Sequence, residues 1–125
     1  SIFLGLGNKP ASPTADIRVR KAIYMAINED EIISRLLNNK AVRADQLPHP
    51  RHRGYNPDIV RPGYDVEAAQ KLLAEAGYPD GLDLDIYVPN NRYIRDKDIG
   101  LAVAQHQLYT RFTQPEIGPP RFELN

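Results

Sequence analysis

The sequence predicts an α/β layer built from three to four helices and few strands. Apolar residues recur at steps of three and four over residues 16–37 and 65–77, which is the period of a helix with one buried face. Apolar and polar residues alternate over residues 82–88, which is the period of a strand. Prolines and glycines cluster between these stretches and are typical of loops.

A short strand is expected at the beginning of the chain. Ile2, Leu4 and Leu6 alternate with Phe3 and two glycines. Because Phe3 makes the second face apolar too, we expect this strand to be buried on both sides.

Two consecutive helices are expected over residues 16–37. Asp16 is a suitable N-cap residue, because its carboxylate can accept hydrogen bonds from the free N–H groups of the first turn. Asn28 with Glu31 three residues later resembles a capping box and predicts the second helix. Each helix has one apolar face, formed by Val19, Ala22, Ile23, Ala26 and Ile27 in the first and by Ile32, Ile33, Leu36 and Leu37 in the second. Faces this dense must bury against a sheet or another helix.

Residues 41–64 have no apolar period and hold four prolines. A loop of this length is uncommon in a compact domain, and it is often functional or packed against a neighbouring part. A third helix is expected from the cap residue Asp65 to Gly77, which can take the left-handed conformation at a helix end.

The predicted strand at residues 82–88 has one buried and one acidic face, and Pro89 ends it. A further helix is expected over residues 97–106, and the segment after it is expected to be irregular with a short extended piece. Two strands make a poor sheet by themselves, so the sequence predicts part of a larger unit.

Composition excludes several classes of function. Sixteen basic residues balance sixteen acidic ones, which argues against a nucleic-acid binder and against an electrostatic membrane anchor. The absence of cysteine excludes disulfides, thiol catalysis and zinc–thiolate sites. No signal peptide precedes Ser1, so we expect either a cytosolic chain or the mature part of an exported protein.

Four stretches together resemble the extracytoplasmic solute-binding proteins, family 5, of peptide and nickel ABC importers. Residues 16–33 look like the helix pair that is the signature of that family. Residues 54–57 and 64–81 match its next segments in order and spacing. Residues 89–105 resemble a further segment through Pro89 to Tyr93 and Ile99 to Gln105.

The resemblance implies that residues 1–105 are part of the C-terminal lobe of a two-lobed, periplasmic-binding-protein-like fold. The two lobes of such a protein close on a ligand about a hinge. Residues 106–125 depart from the family pattern and are expected to be a divergent, proline-rich tail.

Arg92 is the first candidate for a ligand contact. It follows the carboxyl end of a predicted strand, where open α/β sheets place their ligand contacts, and the resemblance implies a ligand-facing arginine near this position. Its guanidinium could pair with a carboxylate such as a peptide C-terminus. Asn90, Asn91 and Tyr93 could add amide or phenol contacts. A solvated arginine among turn-forming asparagines explains the same residues.

His49 and His52, with Asp45 and Asp58 nearby, could be drawn as a metal site. Their spacing matches no closed zinc pattern, so a solvated loop is favoured and no metal is expected. A small metal-dependent hydrolase using His49, His52 and Asp58 is kept as an alternative.

Two other charged groups have ordinary explanations. Asp83 and Asp85 fit the wet face of an edge strand better than an acid–base pair. Arg18, Arg20 and Lys21 fit a solvated face or a set of salt bridges between lobes better than a nucleic-acid patch.

The sequence therefore favours a binding module over an enzyme, without cofactor. The resemblance implies a substrate-binding component of an ABC importer, with a peptide or other small solute and the importer membrane subunits as partners. It also implies a periplasmic or extracytoplasmic location and leaves a lipid anchor open. The alternative is a small interaction domain that oligomerises through exposed sheet edges.

Overall fold

The computed structural model describes residues 4–84, 86–88, 95–107 and 122–124. Within these ranges there are four α-helices and two short strands. The helices are α1 (Ile17–Ala26), α2 (Glu29–Leu36), α3 (Val66–Glu75) and α4 (Asp96–Gln107), and the strands are β1 (Ile86–Val88) and β2 (Phe122–Leu124). A 3-10 turn at Pro13–Ala15 precedes α1.

The core lies between α1 and α3. Three of its side chains are alanines with no exposed surface, namely Ala22, Ala26 and Ala69. Because these side chains are small, the two helix backbones can approach closely, and Val19, Ile23 and Leu73 complete the buried cluster between them. Partly buried side chains pack around this cluster: Leu6, Met25, Ile27, Leu72, Ala76, Tyr78, Leu82 and Leu84.

The helix boundaries follow the predicted caps. Asp16, Asn28 and Asp65 each accept a hydrogen bond from a backbone N–H in the first turn, at 2.8, 3.1 and 3.0 Å respectively. These bonds satisfy donors that have no partner inside the helix. Gly77 follows α3 with a φ of +98°, so the predicted left-handed helix end is confirmed as well.

The strands differ from the prediction. Residues 4–7 form no strand, and Leu82 and Leu84 lie outside β1 although both pack against the core. The alternating pattern correctly predicted that these side chains face the core. A strand also needs a neighbouring strand to complete its backbone hydrogen bonds. Among the described residues that neighbour exists only for β1, which pairs in parallel with β2. In place of the predicted α/β layer, the described residues therefore contain four helices and one pair of short strands.

Two of the three basic residues near the start of α1, Arg18 and Arg20, bind backbone carbonyls of this chain. Arg18 Nη1 donates to the carbonyl oxygen of Glu75 at 2.8 Å, which joins the start of α1 to the end of α3. Arg20 Nη1 donates to the carbonyl oxygens of Thr14 and Ala15 at 2.9 and 2.8 Å. The sequence-based expectation of a solvated face holds for the exposed Lys21 and Arg18, although Arg18 also bonds to α3, and Arg20 is half-buried.

Asn in place of Asp16 tests the ion pair at the start of α1 separately from the cap. The pKa of Asp16 is lowered, chiefly by the hydrogen bond from the Arg18 side chain and then by that from the Arg18 backbone. Ionised Asp16 therefore stabilises the fold above its unfolded pKa of about 3.9, and this contribution is lost as the pH falls through the lower folded value. Because Asn also caps helices, Asp16→Asn should lower the melting temperature at neutral pH, and the difference from wild type should shrink in acid.

Thermal unfolding by circular dichroism at neutral and acidic pH measures that difference. Asp80→Asn, in an exposed turn, is the control and should show no such convergence. A gap between Asp16→Asn and wild type that stays constant into strong acid would contradict the assignment.

Candidate functional site

The predicted ligand contacts, Arg92 with Asn90, Asn91 and Tyr93, lie outside the described residues. The structure describes what stands on either side of them. β1 ends at Val88 and α4 begins at Asp96, so the segment between connects the carboxyl end of a parallel strand to the N-terminus of a helix. Strand ends of this kind are where open α/β sheets bind ligands.

Arg95 fixes the second end of that segment. Its Nη1 donates to the carbonyl oxygen of Leu36 at 3.0 Å, at the C-terminal end of α2, and its Nε lies 3.5 Å from Asp98 Oδ2. The backbone of Arg95 has a φ of +54°, which is uncommon for a residue with a side chain. The two contacts direct the Arg95 side chain at α2 and hold this residue at the start of α4.

Arg61 is the centre of a second group of contacts, which joins the long loop to the helix pair. Its Nη2 lies 2.9 Å from Glu29, and its Nε lies 3.6 Å from Asp45 Oδ1. The guanidinium carbon lies 5.3 Å from the centre of the Tyr24 ring, within cation–π range. Arg43 Nε approaches Glu29 at 3.9 Å. We call these five residues the Arg61 cluster.

The charge of Arg61 is stabilised although its side chain is only 18% exposed. Burial is the largest single influence on its pKa and acts to lower it, but the hydrogen bond with Glu29 and the charges of Glu29, Tyr24 and Asp45 together outweigh burial, so the pKa is raised. Among the described residues, its buried Nε has no hydrogen-bond partner, because the distance to Asp45 is too long. A second link, from the Asp65 N–H to the Met25 carbonyl at 2.9 Å, fastens the end of the long loop to α1.

Within the long loop, Gln46 closes a smaller loop of residues 46–56. Its side-chain Nε2 donates to the carbonyl oxygen of Asn56 at 2.7 Å, and its Oε1 accepts from the Asn56 N–H at 3.1 Å. The His52 N–H donates to the His49 carbonyl at 2.8 Å, and Gly54 has a φ of +90°, which favours glycine there. We call this segment the 46–56 loop.

Within the part of the chain that the structure describes, the two histidines of the 46–56 loop do not form a metal site with other ligands. The ring centres of His49 and His52 are 5.9 Å apart, and His49 Nδ1 accepts a hydrogen bond from the Arg51 N–H at 3.2 Å. Among the described residues, no group of three His, Asp or Glu side chains could hold a metal ion. Asp58 contributes a backbone N–H to Asn56 Oδ1. No observation therefore favours the hydrolase alternative.

The acidic pair of the predicted strand is described only in part. Asp83 is exposed, and Asp85 lies outside the described residues. In the described part of the chain, no helix has the length and apolar character that a membrane span requires. Sequence reasoning missed Arg61 and Arg95, because each contacts residues that are distant along the chain.

Comparison with protein families finds a match to bacterial extracellular solute-binding proteins, family 5 Middle, over residues 1–107. The dipeptide-binding protein of Escherichia coli is 38% identical over 80 residues, which are 64% of this chain and 15% of that protein. The glutathione-binding protein GsiB of Pectobacterium atrosepticum is 32% identical over 101 residues, 81% of this chain and 19% of that protein. Heme-binding protein A of Haemophilus influenzae is 33% identical over 81 residues, which are 65% of this chain and 15% of that protein.

A solved structure shares the fold. It is the PBP AgaA from A. tumefaciens R10 in complex with agropinic acid, with a TM-score of 0.69 and 23% identity. The similarity covers 90% of this chain and 22% of the other. The chain therefore spans less than a quarter of the length of the proteins that it matches.

Met in place of Arg61 tests the Arg61 cluster. Arg61→Met keeps much of the apolar stem but leaves Glu29 and Asp45 without their shared cation. We expect the free energy of unfolding to fall by roughly 1–2 kcal/mol, because charged hydrogen bonds of partly buried groups are worth about that much. Urea unfolding followed by circular dichroism measures the loss.

Arg35→Met is the matched control. Arg35 pairs with Glu31 one helical turn away but is 76% exposed, so its loss should cost less than about 0.5 kcal/mol. If the two substitutions lowered the free energy of unfolding equally, the Arg61 cluster would stabilise the fold no more than an exposed ion pair does.

Proposed function

Because this chain belongs to the bacterial extracellular solute-binding proteins of family 5, we propose that it is part of the substrate-binding component of an ABC importer. The observation on which this proposal rests is the family match over residues 1–107, together with a shared fold. The protein would capture its solute by lobe closure and release it unchanged to the importer membrane subunits. It would do so in the periplasm or another extracytoplasmic space, with a lipid anchor as an open alternative.

The chain is proposed to lie in the C-terminal lobe, with residues 1–105 as lobe and residues 106–125 as a divergent tail. The core between α1 and α3 would then be internal to that lobe and would not change when the lobes close. The tail contributes to the sheet, since β2 pairs with β1, and the outer edges of both strands have no further strand partner among the described residues. Further strands of the lobe would cover those edges.

A peptide-like solute is the proposed ligand. Two of the relatives are named for binding a dipeptide and glutathione, which is itself a tripeptide. Peptides of this size present a free carboxylate, and a guanidinium recognises a carboxylate with two parallel hydrogen bonds.

Arg92 is proposed as the residue that binds this carboxylate, with Asn90, Asn91 and Tyr93 as neighbouring contacts. The support comes from position: the segment leaves the carboxyl end of β1 and is fixed at its other end by Arg95. The solute would be bound in a cleft to which the other lobe contributes the opposite wall.

Gln in place of Arg92 tests the proposed ligand contact in the proposed full-length protein. Arg92→Gln removes the charge and should weaken binding of a dipeptide by roughly tenfold or more, as expected for loss of a charge-assisted bidentate pair. Isothermal titration calorimetry measures the dissociation constant. Arg35→Gln is the matched control and should leave affinity within about twofold, because Arg35 is an exposed arginine that pairs with Glu31 of its own helix. A similar loss with both variants would remove Arg92 as the carboxylate contact.

The 125-residue chain alone is expected to bind a short peptide weakly or not at all, since the proposed cleft needs both lobes. The same calorimetric titration, with the chain in place of the full-length protein, measures this. A sub-micromolar complex would refute the two-lobe mechanism. Light scattering on the same sample tests the alternative, because self-association through the outer edges of β1 and β2 would appear as a dimer whose population rises with concentration.

A further inference from the structure

We infer that the 46–56 loop is a docking surface for an acidic patch on a partner protein. The side chains of His49, Arg51, His52 and Arg53 are all exposed there. The segment contains no aspartate or glutamate. None of its residues belongs to the proposed ligand segment at residues 90–93, and the inference does not rest on the proposed function.

The loop presents hydrogen-bond donors. Guanidinium groups can only donate, so Arg51 and Arg53 require acceptors. His49 Nδ1 accepts from the Arg51 N–H, so in the neutral ring the proton is on Nε2, which is a donor as well. A set of donors with two permanent positive charges matches carboxylates and repels metal cations.

The described part of the chain gives these arginines no anionic partner. Asp45 lies next to the loop, but it is directed at Arg61, at 3.6 Å. Asp58 is exposed and forms no ion pair with the loop in the part that the structure describes. As far as the described residues go, the charges of Arg51 and Arg53 are therefore available to pair with a second molecule.

The loop is also held in shape before any partner binds. The two hydrogen bonds between Gln46 and the Asn56 backbone close its base, and the bond from His52 to the His49 carbonyl forms a turn inside it. A loop that is already ordered loses less conformational entropy on binding. Pro48 and Pro50 restrict the backbone further.

A protein partner is favoured over a lipid surface. Segments that bind anionic lipids by charge usually hold about four to eight Lys or Arg residues, and this loop has two. Arginine beside exposed apolar side chains is instead typical of protein interfaces. Leu47 within the loop is 71% exposed, and Val60, shortly after it, is 77% exposed.

Binding of a fluorescein-labelled oligoglutamate peptide to the 125-residue chain tests the inference by fluorescence anisotropy at low salt. Arg51→Gln/Arg53→Gln should weaken binding by roughly tenfold, the sum expected for two exposed charge pairs. The matched control Lys21→Gln/Lys40→Gln removes the same charge from exposed sites elsewhere and should change affinity by less than about twofold. Unchanged melting temperatures would show that all variants are folded.

Gln46→Ala keeps every charge but opens the base of the loop, and we expect binding weakened by about threefold. Affinity equal to wild type would overturn the role of the ordered loop. Equal losses of peptide affinity in the two double variants would mean that the peptide is attracted by net charge alone. Binding to phosphatidylglycerol vesicles but not to the peptide would identify a lipid surface. Either result would overturn the inference, as would loss of peptide binding in the proposed full-length protein, where the rest of the chain would then cover the loop.

Discussion

The close packing of α1 against α3 is the constraint on which the rest of this structure depends. Ala22, Ala26 and Ala69 have no exposed surface, so a larger side chain at any of them would have to separate the helices. The segments outside this pair are fastened to it. Arg18 reaches from α1 to the end of α3, and the Asp65 N–H ties the end of the long loop to the last turn of α1.

Arginine side chains complete two helix ends in the same way. The last carbonyl groups of a helix have no partner inside it and carry partial negative charge. Arg18 donates to such a carbonyl at the end of α3, and Arg95 does so at the end of α2. Each bond therefore satisfies a helix terminus and joins two elements of the fold. This explains how a chain with a small core keeps separate segments in fixed positions.

The sequence predicted what depends on neighbouring residues and missed what depends on distant ones. The caps at Asp16, Asn28 and Asp65 were predictable, because each side chain binds a backbone group within three residues of itself. The Arg61 contact with Glu29 was not, because 32 residues separate the partners and no local pattern records the pairing.

The strand predicted at residues 82–88 is shorter in the structure, at Ile86–Val88, for a related reason. Alternation at residues 82–84 correctly placed Leu82 and Leu84 against the core, but side-chain burial does not supply a backbone hydrogen-bond partner. The candidate ligand segment at residues 90–93 remains a prediction from position and resemblance. Its two flanks, the end of β1 and the fixed Arg95, are what the structure adds to it.

The hydrogen bonds of Gln46 have a consequence for how this protein can diverge. They end on the backbone N–H and carbonyl of residue 56, so any residue other than proline at that position could keep them. Of the nine residues between, Gly54 is restricted by its φ of +90°, which favours glycine, and the others need only span the same gap. Substitutions at these other positions would change the exposed surface of the loop. The packing of α1 against α3 would stay the same. Natural variation in this lineage, and deliberate grafting, should both be tolerated there.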